Sequence, residues 1–384
     1  MTTGTRTTVD AAADVVIVGG GIIGLATAER LAAHRLSVVV IDEHGVAGGA
    51  TGASGGLIRA FDPAAGTDGH PWAAEGLSCY LRRGPSGRWP AVREDGSLVL
   101  FDADGTERAL AGADQVLAAG HTALVLSAPE ITAAFPGLTV PEDFVGVYEP
   151  RAGWLPAREV AEAMLGDADG VTFLGSARAT EVVTSRGRVT GVRTTAGLVR
   201  ARAVLLAAGV HSTGLARTAG VELPLRTRAV SYCVFTPRGR PGAGPGTGHS
   251  AVHGAGPGGP YGLPTVVDST TGAWLRRWNS GTGVLAGVSS SACDVPPTVT
   301  AGVPIAEQRR IREVVRHRRP PLADADATGG VTAYDVLGPG GKGAVTVWPE
   351  PYGLVTATGW NGGGFKLAPA VGRHTAARIR EVIA

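Results

Sequence analysis

The chain has 384 residues, of which 44% are hydrophobic and 18% are charged, and its formal net charge is +2. The length suggests two domains, and the apolar content is sufficient for buried cores, which excludes wholesale disorder. The charge is small and forms no dense basic run, so the sequence predicts no nucleic-acid partner.

The cysteines and the N-terminal residues indicate the cellular compartment. Cys79, Cys233 and Cys293 stand far apart, without the spacing of a zinc site or a disulfide framework. Residues 1–9 are rich in threonine and have no apolar core, and the apolar run that starts at residue 15 is soon interrupted by glycines. We therefore expect a cytoplasmic protein with no signal peptide and no membrane span.

The N-terminal part has the pattern of a β-α-β unit. Residues 14–18 predict a strand, three glycines follow, residues 22–33 predict a helix, and residues 37–41 predict a second strand that ends at Asp42 and Glu43. Strands joined in this way are parallel and are covered on both faces. The chain therefore begins with a Rossmann unit.

Further elements follow along the chain. The patterns predict a helix at 154–165, strands at 171–192, 204–208, 273–278, 284–288, 345–347 and 353–358, and a C-terminal helix at 367–383. Glycine and proline dominate residues 237–260, which predicts a long surface loop.

The glycines after the first strand have the spacing of a dinucleotide-binding fingerprint. Gly19 allows a tight turn, Gly21 admits a pyrophosphate, and Gly24 lets the helix pack on the strand. The pyrophosphate then lies at a helix N-terminus, where free N–H groups and the helix dipole favour negative charge. Asp42 follows about twenty residues later and can accept hydrogen bonds from ribose hydroxyls. FAD and NAD share this fingerprint, so it leaves the choice between them open.

A second run of glycines, within residues 359–366, precedes the C-terminal helix. It makes another helix N-terminus, which can stabilise the negative charge that builds up at the N1–C2=O edge of a reduced flavin. An NAD enzyme has no need of such a terminus. The alternative is a tight turn whose glycines serve only packing. We favour FAD.

Seven stretches of the chain stand in the order found in one known family. They are VVIVGGGIIGLATAERL, VVVIDE, ATGASGGLIR, LSAPEITAAFPGL, RAGWLP, AVLLAAGVHS and TGWNGGGFKLAPAVGR. In these stretches the sequence resembles the FAD-dependent amino acid and amine oxidases of the D-amino acid oxidase type, especially the glycine oxidase and monomeric sarcosine oxidase branch. The first and last stretches are the specific ones, and together the seven span nearly the whole chain.

The resemblance implies an α/β fold with a Rossmann-type FAD-binding domain and a second, α+β substrate domain that contains a mixed sheet. We assign residues 12–60, 145–225 and 326–384 to the FAD-binding domain. Residues 61–144 and 226–325 are assigned to the substrate domain.

The expected FAD-binding residues come from the fingerprint, the segment after the second strand, the stretch AVLLAAGVHS and the C-terminal glycine run. They are Gly19, Gly21, Ile22, Ile23, Gly24, Asp42, Glu43, Thr51, Ser54, Gly55, Gly209, Gly359, Asn361, Gly362, Gly363, Gly364, Phe365 and Lys366. We expect no metal site, because the histidines lack the spacing of metal ligands.

Two basic residues fall where the resemblance implies binding of a substrate carboxylate. Arg59, in GGLIR, matches the position of a carboxylate-binding arginine, and Lys366, in GGGFK, matches a second such position. Only two of the 35 basic residues are lysines, Lys342 and Lys366. A lysine at a helix N-terminus opposes the helix dipole, which favours a functional role for Lys366 over a surface charge. For Arg59 the alternative is a surface ion pair.

The sequence departs from the family pattern at two positions. Thr332 stands where covalent flavoproteins of this branch carry a cysteine, so the resemblance implies non-covalent FAD. Leu285 stands near the position of a lysine credited with oxygen activation, which implies weak reactivity with oxygen. Tyr232, Arg276 and Arg277 lie on expected strands, where alternation would turn one arginine inward, although a solvated strand face is the favoured interpretation.

We interpret the chain as an FAD-dependent enzyme that oxidises the C–N bond of a small amino acid or amine by hydride transfer to flavin N5. The electron acceptor is then oxygen or another compound. A 2-hydroxy acid or another alcohol is the alternative substrate on the same fold, since it needs the same carboxylate clamp. The chain could also be a non-catalytic nucleotide-binding protein or an NAD-dependent dehydrogenase, and the C-terminal glycine run argues against both.

Overall fold

The computed structural model describes residues 9–62, 72–237, 262–278, 283–297 and 302–384. The loop expected at 237–260 lies outside the described residues, apart from its first residue.

The described residues form eighteen strands and eight α-helices. The strands are β1 (Val9–Val18), β2 (Val38–Asp42), β3 (Leu57–Ile58), β4 (Ser97–Phe101), β5 (Leu124–Ser127), β6 (Val145–Glu149), β7 (Gly153–Trp154), β8 (Val171–Gly175), β9 (Ala179–Ser185), β10 (Arg188–Thr194), β11 (Gly197–Leu206), β12 (Arg226–Thr236), β13 (Thr265–Asp268), β14 (Ala273–Trp278), β15 (Gly283–Cys293), β16 (Asp326–Leu337), β17 (Ala344–Val347) and β18 (Leu354–Thr358). The helices are α1 (Ile22–Ala32), α2 (Trp72–Arg83), α3 (Thr106–Ala118), α4 (Ala128–Ala134), α5 (Ala157–Gly166), α6 (Ser212–Thr218), α7 (Ile305–Arg318) and α8 (Gly364–Ile383). None of these helices is both long and apolar enough to cross a membrane.

The first large sheet contains the Rossmann unit. Its strand order is β17-β18-β11-β1-β2-β8, and β10 and β9 extend it from β11. The four pairs that join β18, β11, β1, β2 and β8 are parallel. The predicted β-α-β unit at the start of the chain is confirmed.

Alternating residues of β1 enter two different cores, because successive side chains of a strand point to opposite faces. Val15 and Ile17 belong to the core that includes buried residues of α1, α5 and α8. Val16 and Val18 belong to the core on the other face, which includes residues of α6. The sheet is therefore covered on both faces, which explains why the parallel strands are continuously apolar.

The second large sheet is mixed. Its order is β16-β12-β15-β14-β13-β4-β6-β5. β4 and β13 are parallel, whereas the other neighbours are antiparallel. The expected α/β fold with a mixed second sheet is confirmed.

Two strands lie in a different sheet from the one that the assigned segments imply. β6 was expected with the nucleotide-binding segments but pairs with β4 and β5. β16 was likewise expected there but pairs with β12 along most of its length. Sheet membership depends on pairing between residues far apart in the chain, which a local apolar pattern does not reveal. The division of the chain into two domains stays a prediction.

Candidate active site

The turn between β1 and α1 requires glycine at two of the fingerprint positions. Gly19 has a φ of +117°, and a Cβ there would lie 2.4 Å from the carbonyl oxygen of Ala207. A Cβ on Gly24 would lie 2.0 Å from the carbonyl oxygen of Gly19, so any side chain would force α1 away from the strand. Gly21 precedes α1, and the nearest atom to a Cβ there is Thr51 Oγ1, at 3.3 Å.

Two polar side chains hold this turn, Asp42 from the end of β2 and Thr51 from the loop that follows it. Asp42 Oδ2 accepts a hydrogen bond from the N–H of Gly20 at 2.7 Å, and Asp42 Oδ1 accepts one from the N–H of His44 at 2.8 Å. Thr51 Oγ1 accepts a hydrogen bond from the N–H of Ile22 at 3.0 Å. Because a carboxylate oxygen can accept more than one hydrogen bond, Asp42 can hold the turn and still meet a ribose.

One cavity of about 730 Å³ connects the fingerprint turn with the second sheet. Seventeen of the eighteen residues expected to bind FAD line it, and so does Arg59. The exception is Gly24, which packs against the turn. Val18 and Ile41 line the cavity at the ends of β1 and β2, and Tyr232 and Trp274 line it from β12 and β14. The carboxyl ends of neighbouring parallel strands are the usual ligand-binding edge of such a sheet.

The C-terminal glycine run brings the N-terminus of α8 to the same cavity. Asn361 Nδ2 donates a hydrogen bond to the carbonyl oxygen of Gly341 at 2.8 Å. Asn361 Oδ1 and Trp360 Nε1 are buried and have no hydrogen-bond partner among the described residues. Both residues line the cavity.

α8 keeps its first turn although Pro369 interrupts its hydrogen bonds. Proline has no N–H to donate to the carbonyl oxygen four residues earlier, which belongs to Phe365. The hydroxyl of Tyr80 donates to that oxygen at 2.7 Å, and Tyr80 is fully buried. The Tyr80 and Phe365 rings are stacked, with centroids 5.5 Å apart. This contact fixes the turn that carries Lys366.

Arg59 and Lys366 are both buried in the cavity, with relative exposures of 8% and 6%. Arg59 Nε has no hydrogen-bond partner among the described residues. Lys366 Nζ lies 3.0 Å from Asp62 Oδ1. Burial, followed by the neighbouring charge of Arg59, lowers the pKa of Lys366 to about 8, against the opposite effect of Asp62. The two cations expected to form a carboxylate clamp are thus brought together, but Lys366 already has an anionic partner.

The loop that carries Arg59 is fixed by Glu149. The carboxylate of Glu149 accepts hydrogen bonds from the N–H groups of Ala60 and Phe61, at 2.8 and 2.9 Å. Burial raises the pKa of Glu149, and these N–H groups together with Arg59 and Lys366 oppose that rise. Glu149 does not line the cavity, but its charge interacts with the nearby cations Arg59 and Lys366.

Sequence reasoning missed several of these groups. Asp62 follows Arg59 by three residues, and its acidic type beside an expected clamp was a usable signal. Glu149 is 89 positions from Ala60, so nothing local points to it. Arg228 and Asp335, which also line the cavity, form an ion pair of 3.1 Å between β12 and β16.

The two arginines of β14 are not on a solvated face. Arg276 is 5% exposed and lies 3.9 Å from the centroid of the Trp154 ring, and its Nε donates to the carbonyl oxygen of Gly55 at 2.7 Å. Arg277 pairs with Asp95 at 3.1 Å. The interpretation of a solvated strand face is therefore wrong, because the aromatic and polar partners come from distant segments.

Leu285 and Thr332, the two residues that depart from the family pattern, do not line the cavity. Leu285 is 1% exposed and does not line the cavity. The expectation of weak oxygen reactivity stays a prediction. Thr332 Oγ1 shares a hydrogen bond of 2.9 Å with Ser231 Oγ and does not line the cavity either.

The fold and the glycine-rich turn indicate a nucleotide-binding protein, and comparison with known proteins identifies its family. Residues 14–378 match the family model described as FAD dependent oxidoreductase (DAO), and the chain belongs to that family. This family consists of FAD-dependent oxidoreductases, whose cofactor is FAD.

Named relatives and a solved structure agree with this class. A glycine oxidase from Pseudomonas putida is 34% identical over 225 residues, which cover 55% of this chain and 59% of the relative. A sarcosine oxidase subunit beta from Arthrobacter sp is 29% identical over 235 residues, which cover 58% and 57%. The chain thus spans less than two thirds of the length of these curated relatives. The crystal structure of L-proline dehydrogenase from P. horikoshii superposes with a TM-score of 0.81 at 20% identity, covering 97% of this chain and 94% of that one, which supports the fold.

Proposed function

We propose that the protein oxidises the C–N bond of a small amino acid or amine and releases an imine. The observation that carries this proposal is the burial of Arg59 and Lys366 side by side in the cavity that the fingerprint turn also lines. Buried cations favour an anionic ligand, because leaving such charges without compensation is costly. The relatives named glycine oxidase and sarcosine oxidase support an amino acid as that ligand.

FAD is assigned to the groove between the fingerprint turn and the N-terminus of α8. The N-terminus of α1, next to Gly21, is suited to the pyrophosphate, and Asp42 is suited to the ribose. The N-terminus of α8, with Asn361 and Gly362, is suited to the flavin edge where charge builds up. Bound there, FAD supplies the acceptor for the hydride that leaves the carbon next to nitrogen.

Arg59 is assigned to the substrate carboxylate. A guanidinium group can bind a carboxylate through two parallel hydrogen bonds, which fixes the orientation of the substrate as well as its position. Glu149 holds the backbone of the Arg59 loop, and Arg59 is 8% exposed, so an ion pair with it is stronger than one in solvent. Lys366 adds positive charge beside it.

The cofactor is proposed to be non-covalent. Cys79, Cys233 and Cys293 all lie in the described part of the chain, and none of them lines the cavity. Acid precipitation should therefore release the yellow chromophore into the supernatant, and a flavin that stayed with the pellet would contradict this assignment.

Anaerobic bleaching of the bound flavin tests the proposed reaction. The purified protein is mixed with amino acids, N-methyl amines and 2-hydroxy acids in turn, and the absorbance near 450 nm, typical of an oxidised flavin, is followed. We expect bleaching by at least one amino acid or amine. The variant Arg59→Gln is the matched control, because it should retain flavin and lose most bleaching at low substrate concentration. Bleaching by hydroxy acids alone would overturn the proposal.

A further inference from the structure

Among the described residues, the two acids that act on the charge of Arg59 are Asp62 and Glu149, and of these two Asp62 lines the cavity. The side chains of Lys366 and Asp62 are 8% and 10% exposed, and Glu149 is 2% exposed. Glu149 is occupied by two backbone N–H groups of the Arg59 loop and does not line the cavity. Asp62 does line it, together with Arg59 and Lys366.

A ligand whose only charged group is a carboxylate would therefore bind near the carboxylate of Asp62 as well as near the two cations, Arg59 and Lys366. Asp62 is 3.0 Å from Lys366 Nζ, so it cancels much of the attraction that Lys366 offers to an anion. A zwitterion suits this arrangement better, because its negative end can contact Arg59 while its positive end faces Asp62. In an α-amino acid the nitrogen and the carboxylate are attached to the same carbon, so neighbouring groups of opposite charge are what such a ligand requires.

We propose that Asp62 binds the positively charged nitrogen of the substrate, and so selects a zwitterionic amino acid over a plain carboxylate or a 2-hydroxy acid. This inference rests on the proposed function and makes its substrate class specific. The nitrogen enters as a cationic ammonium group, loses one proton to water, and becomes a cationic iminium group when the hydride leaves the neighbouring carbon for the flavin. A hydroxy acid offers no such charge in its ground state and leaves Asp62 beside a neutral hydroxyl.

A second cavity acid, Asp335, is a weaker candidate for this role. It pairs with Arg228 at 3.1 Å and also accepts a hydrogen bond from the N–H of Val336 at 2.8 Å. The acids with the largest effects on the charge of Lys366 are Asp62 and Glu149. Asp335 therefore serves as the comparison residue in the test.

The test uses two ligands of the same shape that the enzyme has no means of oxidising. In 2-aminoisobutyrate the carbon next to nitrogen carries no hydrogen, and pivalate has a methyl group in place of the ammonium group. Binding to the FAD-loaded protein is measured by calorimetry and by perturbation of the flavin spectrum. We expect the unmodified protein to prefer 2-aminoisobutyrate by on the order of ten- to a hundredfold, the range of one charge-assisted hydrogen bond.

The variant Asp62→Asn should remove this preference. Its affinity for 2-aminoisobutyrate should fall about tenfold or more, while its affinity for pivalate should stay equal or rise, because Lys366 is then released from its acidic partner. Asp335→Asn should keep the preference. If Asp335→Asn rather than Asp62→Asn removes it, or if Asp62→Asn weakens both ligands equally, the inference is wrong.

The unmodified protein keeps the inference testable even if Asp62→Asn does not fold or loses FAD, since equal binding of the two ligands would already overturn it. Failure of the proposed function has a different result, because no amino acid or amine would then bleach the flavin. If amino acids bleach the flavin but the ligand preference is absent, only the role of Asp62 is lost.

Discussion

Arg59 and Lys366 should differ in what they contribute, although both are buried cations of one cavity. Arg59 Nε has no hydrogen-bond partner among the described residues, whereas Lys366 forms an ion pair with Asp62. We predict that Arg59→Gln mainly weakens anion binding. Lys366→Met should mainly destabilise the fold, because it leaves the Asp62 carboxylate buried beside an apolar side chain.

The magnitudes follow from these contacts. A hydrogen bond to a charged group contributes about 1.5–3 kcal/mol, so Arg59→Gln should weaken pivalate binding by about ten- to a hundredfold. Removing one partner of a buried ion pair costs about 3–5 kcal/mol, so Lys366→Met should lower the free energy of unfolding by an amount of that order, less whatever protonation of Asp62 recovers. Arg59→Gln should cost less stability, because the Asp62–Lys366 pair and the N–H bonds of Glu149 remain.

Calorimetric titration with pivalate and thermal unfolding of the FAD-loaded variants measure the two effects. Glu94→Gln is the control for loss of one charge, since Glu94 pairs with Arg151 at an exposed position. Equal loss of anion affinity in Arg59→Gln and Lys366→Met, with equal melting temperatures, would refute the assignment of different roles.

Three further predictions concern the same site. Tyr80→Phe should lower the free energy of unfolding by about 1–3 kcal/mol, because the carbonyl oxygen of Phe365 loses its donor, and denaturant titration checks this. Binding of pivalate should weaken as the pH rises through about 8, where Lys366 loses its proton, and this step should be absent from titrations of Lys366→Met. Asp42→Ala should lower flavin occupancy, because it removes acceptors for ribose and for the fingerprint turn, and unchanged absorbance of the purified variant would contradict that role.

The sequence was sufficient for the elements whose chemistry is local. At Gly19 and Gly24 other backbone atoms occupy the space that a Cβ would need. The glycine spacing in the sequence therefore predicts the geometry of the turn. The bounds expected for β14 agree with the structure, and those of α1 and β2 agree within a residue. The spacing of apolar residues and the position of turn-forming residues predict such elements directly.

Pairing and charge compensation were decided by tertiary structure. β16 joins the second sheet because it pairs with β12, about a hundred residues earlier in the chain. Leu285 was matched to a site that its buried side chain does not reach.

The family resemblance indicated that Arg59 and Lys366 share a site, and their residue types indicated an anionic ligand. The difference between the roles of Arg59 and Lys366 depends on Asp62 and Glu149, which only the folded chain brings close to them. A sequence determines which charges a chain has and where short-range turns form. Only the folded chain determines which charges are buried together, because burial and distance fix the strength of each interaction.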